Sequence, residues 1–136
     1  MNIKIDFRSG EPIYVQIVEQ IQRLVAAGEL KLGDQLPTVR QLATDLRVNF
    51  NTVARAYRLL DEAGLISTQQ GRGTYIWEEP SEKTTATLRK HSLEVLVRRC
   101  LSRAARLGCA PEEVQAEFTR QMHDWQAGDM PQEIGE

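Results

Sequence analysis

The sequence predicts a mainly helical chain with one small β-hairpin, and three stretches predict it. In the first, Leu36 to Leu60, apolar residues recur with helical period on both sides of a short break. The second is a pair of strand-like runs, Leu65-Ile66-Ser67-Thr68 and Thr74-Tyr75-Ile76-Trp77, joined by Gln69-Gln70-Gly71-Arg72-Gly73. In the third, Leu93, Val97, Cys100, Ala104 and Leu107 recur at alternating spacings of four and three, the seam of a helix that covers one side.

The first stretch sets the architecture. Ala43, Val48 and Val53 lie five and five residues apart. Two helices meeting at an angle need a small residue at the contact and apolar plugs in the corner, which is the demand of a helix-turn-helix. Its second helix, roughly Asn51 to Ala63, buries Val53, Ala56, Tyr57 and Leu60. The opposite face presents Asn51, Thr52, Arg55 and Arg58, which are hydrogen-bond donors and cations suited to a DNA groove. Asn49 is placed to cap this helix, and free N–H groups at a helix start attract phosphate. An ordinary amphipathic helix would show the same stripe, so the hairpin behind it matters. A Gly71-Arg72-Gly73 tip exposes backbone and one long cation, as a wing laid against DNA requires. Taken without its neighbours, the same tip reads as a surface hairpin with a solvated arginine.

The remaining elements follow in order. Ile3 to Phe7 alternates as a short strand or extended arm. Glu11-Pro12 opens a helix in which Ile13, Ile17 and Ile21, with Val18, Leu24 and Val25, form a stripe that ends at Ala27-Gly28. Leu30, Leu32 and Leu36 punctuate a compact loop, and Pro37 leads into a helix at Thr38. Glu78 to Thr85 is polar, contains Pro80 and Ser81, and reads as a linker. After the seam helix, Gly108 stops the chain and Ala110-Pro111 restarts it as a helix with Val114, Phe118, Met122 and Trp125 on one face; Gly128 onward reads as frayed. The predicted organisation is a winged helix-turn-helix domain over residues 1–78 and a linker plus two-helix region over 79–136. About 50 residues cannot supply this pair with its own core. Its stripe therefore covers either a second copy of the chain or the chain's own domain, and the homodimer is the favoured expectation.

A net charge of −2 hides a strong asymmetry. Arg40, Arg47, Arg55, Arg58 and Arg72 dominate the helix-turn-helix and hairpin. Arg89, Lys90, Arg98, Arg99, Arg103 and Arg106 dominate the seam helix, whereas acids dominate after Ala110. No apolar run approaches the roughly 20 residues of a membrane span, and the N-terminus lacks a signal-peptide core, so a soluble, cytoplasmic protein with no membrane partner is expected. Cys100 and Cys109, nine residues apart, would face opposite ways on one continuous helix and read as packing residues. His91 and His123 stand alone, so neither a metal site nor a cofactor is predicted. Glu112-Glu113 with His123 is the nearest approach to a catalytic set, yet adjacent helical residues diverge by about 100°. No catalytic residue is expected.

These residues resemble a known family. The run Gly28-Glu29-Leu30-Lys31-Leu32-Gly33-Asp34-Gln35-Leu36-Pro37-Thr38-Val39-Arg40-Gln41-Leu42-Ala43 is similar to the signature of GntR-family bacterial transcription factors. So are Pro12-Ile13-Tyr14-Val15-Gln16-Ile17, Asn51-Thr52-Val53-Ala54-Arg55-Ala56-Tyr57, Gly64-Leu65-Ile66 and the Gly71-Arg72-Gly73-Thr74 wing. The short tail is similar to that of the YtrA-like branch, in which the C-terminal part serves dimerisation. The resemblance implies that Arg40 contacts phosphate or a base, that Asn51 and Thr52 contact DNA, and that the regulated genes encode membrane transporters. Two departures stand out: Ala54 where many members are basic, and Arg47 at a turn position often held by glycine. A left-handed Arg47 would cost roughly 1–2 kcal/mol.

The expected function is sequence-specific binding of double-stranded DNA by a homodimeric transcriptional regulator, a repressor at an inverted repeat. The DNA-contacting set is Arg40, Asn49, Asn51, Thr52, Arg55, Arg58, Gly71, Arg72 and Gly73. A winged-helix module for protein or RNA is the competing class, and no pattern in the sequence identifies a small-molecule effector.

Overall fold

The computed structural model describes residues 1–78 and 81–132. The chain divides into two units, Met1–Ser92 and Leu93–Glu136.

The first unit is built on α1 (Ile13–Ala26), α2 (Val39–Leu46) and α3 (Phe50–Glu62). Pro12 precedes α1, and Ile17, Ile21, Val18 and Val25 are buried along it as the stripe requires. Those residues pack against Val53, Ala56, Tyr57 and Leu60 of α3, with Leu42 and Ala43 of α2 closing the core. Val48, the third corner residue, is half-buried. Thr38 and Gln41 cap α2 reciprocally: Thr38 Oγ1 accepts from Gln41 N at 3.0 Å, and Gln41 Oε1 accepts from Thr38 N at 2.9 Å. The helix ends at Arg47, whose φ of 57° and ψ of 44° are left-handed. Its amide and that of Val48 turn back to the carbonyls of Thr44 and Ala43, so the turn needs this conformation whichever residue occupies it.

A small antiparallel sheet completes the unit. Strands β2 (Ile66–Gln69) and β3 (Gly73–Ile76) form the expected hairpin, with Thr68 opposite Thr74 and Ile66 opposite Ile76. Beside them lies a strand that the sequence reading took for loop, β1 (Gln35–Leu36), paired with Tyr75 and Thr74 of β3. Two residues are too few to show alternation, so this strand left no periodic signal. The N-terminal arm forms no strand. Instead Gln16 and Gln20 of α1 hold it through side chains: Gln20 exchanges two hydrogen bonds with the backbone of Lys4, and Gln16 does the same with Asp6. Ile3 is buried beneath.

The linker reading also changes. Helix α4 (Glu82–Arg106) begins inside it. Ser81 Oγ accepts from the Thr84 amide at 3.1 Å, and Thr84 and Leu88 are buried in the first unit. A serine cap starts this helix over a turn with no apolar period, which is why composition alone suggested a loop. Glu79 and Pro80 lie outside the described residues.

In the second unit, α4 continues to Arg106, and Gly108 and Cys109 connect it to α5 (Pro111–Gln126). Glu113 accepts from the Ala110 amide at 2.9 Å at the start of α5. From Leu93 through Gln132 no residue is buried.

Candidate nucleic-acid interface

The proposed DNA-contacting residues come from the start of α2, the start of α3 and the hairpin tip. Asn49 caps α3 as anticipated, its Oδ1 accepting from Asn51 N at 2.7 Å. Asn51, Arg55 and Arg58 are exposed and Thr52 is half-buried. The rigid part of this surface is α3 itself, fixed by its buried stripe and by Tyr57. The Tyr57 hydroxyl donates to the Pro37 carbonyl at 2.6 Å, joining α3 to the entry of α2 and holding the angle between the helices. Burial pushes the Tyr57 phenol well above its ordinary pKa, so it remains a donor.

Two arginines of the set sit over aromatic rings. The Arg40 guanidinium lies 5.7 Å from the centroid of Phe50, an exposed residue that begins α3. Arg55 lies 4.0 Å from the centroid of Tyr14, a buried residue of α1. Neither aromatic was singled out in the sequence. Phe50 precedes the helix read from Asn51 and Tyr14 lies outside the stripe read for the first helix, and nothing local announces a stacked cation.

At the hairpin tip, Gly71 and Arg72 are exposed and the turn is pinned from beneath. The Arg72 carbonyl accepts from Tyr75 Oη at 2.6 Å and from Gln35 Nε2 at 3.3 Å. Gly73 has a φ of 109°, which side-chain-bearing residues rarely adopt, and a Cβ there, 2.5 Å from Gln35 Nε2, would displace the amide that braces the tip. The short β1 strand thus braces the tip through Gln35 while the Arg72 side chain faces outward into solvent.

The second candidate surface lies on the helical pair. Leu93, Val97, Leu107, Phe118, Met122 and Trp125 are all exposed, together with Leu96 and Leu101, which the seam did not include. The apolar face of α4 is therefore broader than a heptad stripe. Ala104 and Val114 are half-buried. The cysteines need correction: both are exposed, and Cys109 follows the turn at Gly108 rather than continuing α4. Both thiols line a groove with Ala104, Val114 and Phe118.

A three-helix core, a braced hairpin and an exposed polar recognition face define a winged helix-turn-helix DNA-binding module. Comparison with known proteins makes this specific. Residues 13–76 match the model of the gntR family of bacterial regulatory proteins. The chain is 47% identical over 100 residues to the HTH-type transcriptional repressor YtrA of Bacillus subtilis, covering 70% of this chain and 75% of that one. Among solved structures, YtrA from Sulfolobus acidocaldarius, a GntR-family transcription factor, is 42% identical over 74% of this chain and 97% of its own, with a TM-score of 0.54. A transcriptional antiterminator from Listeria monocytogenes aligns over 98% of both chains at 29% identity and a TM-score of 0.59. The chain belongs to the GntR family. It is a DNA-binding transcriptional regulator, in a family of regulators rather than enzymes. Among the described residues no helix is long and apolar enough to cross a membrane.

Proposed function

We propose that the chain acts in the cytoplasm as a homodimeric repressor that binds an inverted-repeat operator, with residues 1–78 reading DNA and the helical region after them dimerising. The observation that carries the dimer is the exposure of Leu93, Leu96, Val97 and Leu101 on α4 and of Phe118, Met122 and Trp125 on α5, with no residue buried from Leu93 through Gln132. A helical pair with no buried residue does not hold its shape in water, because helix stability comes mainly from packing an apolar face. A second copy offers the matching surface, and its charges match too. Arg98, Arg103 and Arg106 on α4 and Glu112 and Glu113 on α5 are exposed, and the one ion pair among the described residues joins Arg120 to Glu117.

Two recognition helices would then enter successive major grooves about 34–36 Å apart. Asn51, Thr52, Arg55 and Arg58 supply the groove contacts, with Asn49 at the N–H groups of the helix start. Arg40 and the Gly71-Arg72-Gly73 wing hold the backbone. Repression is favoured by the likeness to a named repressor, and control of a transporter operon rests on resemblance to the YtrA-like branch. Sedimentation tests the dimer. Native protein should run as two chains, and Phe118→Glu should give single chains whose winged helix-turn-helix domain stays folded but which bind the operator far more weakly. Two chains persisting in Phe118→Glu would place the interface elsewhere. Arg98→Ala with Arg99→Ala should also weaken the dimer; an intact dimer with a shallower salt dependence on DNA would assign these bases to DNA instead. A winged helix can also serve RNA, and competition between duplex DNA and RNA of the same sequence separates the two readings.

A further inference from the structure

Arg55 differs from an ordinary surface arginine in how it is held. Its guanidinium carbon lies 4.0 Å from the ring centroid of Tyr14, within contact range of the ring face. Tyr14 is 7% exposed, so this platform is fixed by the core. The platform is itself anchored. Its hydroxyl is hydrogen-bonded to His91 Nε2 at 3.2 Å, and the two rings meet edge to face at 63° with centroids 5.9 Å apart. Three elements of one unit, α3, α1 and α4, thereby fix one side chain. Arg55 nevertheless remains exposed, and among the described residues it makes no hydrogen bond and no ion pair. Stacking uses the face of a guanidinium and leaves the N–H groups along its edges free.

We propose that Tyr14, anchored by His91, is a positioning residue for DNA recognition: it holds Arg55 in one plane so that its free edge meets a planar pair of acceptors on DNA. This rests on the regulator reading above. A guanine edge, through O6 and N7, and a phosphate both present such a pair. An arginine ordered before binding loses less freedom on binding than a mobile one, so the stack strengthens contact without itself touching DNA. It also gives Arg55 a geometric role that lysine cannot fill, since an ammonium neither stacks in a plane nor offers a fork.

The test begins with duplexes selected from a random pool by the native full-length protein. A selection that enriches nothing counts against the regulator reading itself and is known before any variant is made. On a selected duplex, Tyr14→Phe keeps the ring but loses the hydroxyl that His91 anchors, so it should bind more weakly than native and more tightly than Tyr14→Leu. Tyr14→Leu should lose about two- to fivefold, the scale of a cation–π contact at an exposed site, Arg55→Lys should lose at least as much because the fork goes too, and Tyr14→Leu should add nothing in an Arg55→Ala background. Loss confined to the selected duplex assigns Arg55 to a base edge. Equal loss on a shuffled duplex, with the salt slope smaller by about one, assigns it to a phosphate. Native affinity in Tyr14→Leu, or the same loss recurring in the Arg55→Ala background, overturns the proposal. A readout independent of the folding of Tyr14→Leu is the proton spectrum of DNA-free protein. The Arg55 side-chain protons should be shifted upfield by the ring in native and Tyr14→Phe protein, and unshifted protons in native protein overturn the proposal equally.

Discussion

Replacing Arg47 by glycine should stabilise the protein, a counter-intuitive expectation for the loss of a cation beside a DNA-binding helix. Arg47 has a φ of 57°, and among the described residues it is the one non-glycine with positive φ. For an L-residue this conformation costs about 1–2 kcal/mol. Glycine removes that cost but gives the unfolded chain more freedom, worth about 0.5–1 kcal/mol in the opposite direction. The net gain is therefore up to about 1.5 kcal/mol, centred somewhat below 1 kcal/mol. The amides of Arg47 and Val48 still reach the Thr44 and Ala43 carbonyls, since backbone alone makes those bonds. Arg47→Ala is the control: it loses the same charge while keeping the strain, so the difference between the two variants isolates the backbone. Urea unfolding at fixed protein concentration is the assay. With a slope of about 1–3 kcal/mol per molar, the glycine variant should shift its midpoint up by a few tenths molar relative to alanine, at unchanged slope. A glycine variant no more stable than alanine would refute the strain argument.

Other perturbations follow from the same geometry. Tyr57→Phe removes the donor to the Pro37 carbonyl and should lower unfolding stability by about 1–3 kcal/mol, with operator affinity falling as the angle between α2 and α3 loosens. Gly73→Ala must place a Cβ against Gln35 at a φ of 109°, so it should release the wing tip and weaken DNA binding while leaving the dimer intact by sedimentation. Glu19 on α1 has its pKa raised, first by burial and then by Glu11, with Arg23 opposing. The folded state therefore holds this proton more tightly than the unfolded state, and stability falls as pH rises through the interval between the ordinary and the raised pKa. Glu19→Gln should raise the melting temperature near neutral pH, and the gain should vanish below the ordinary carboxylate range.

What was legible in the sequence was what period and local chemistry determine. The stripe of Val53, Ala56, Tyr57 and Leu60 is helical in spacing and buried in fact. The Asn49 cap and the glycines of the wing are chemistry confined to a few neighbouring residues. Contacts between residues distant in sequence were not legible. Tyr14 meets Arg55 and His91 only because α1 packs beside α3 and α4 begins early enough to return. Gln35 braces a hairpin tip that follows it by two helices. The turn at Gly108 was legible, but that Cys100 and Cys109 would line one groove with α5 depends on how the chain folds back after it. The left-handed Arg47 lies between these cases, since the sequence showed an unusual residue at a turn but not the dihedral it adopts.

The most direct test of the central claim is a salt titration of binding to an inverted-repeat duplex, with a shuffled duplex of the same composition alongside. Binding should saturate at two chains per inverted repeat and should prefer it over the shuffled duplex. It should weaken on the order of 10³-fold or more between about 50 and 200 mM salt if six or more phosphates are contacted. Equal affinity for the shuffled duplex, or saturation at one chain per duplex, would contradict the account of a dimer that reads an inverted repeat.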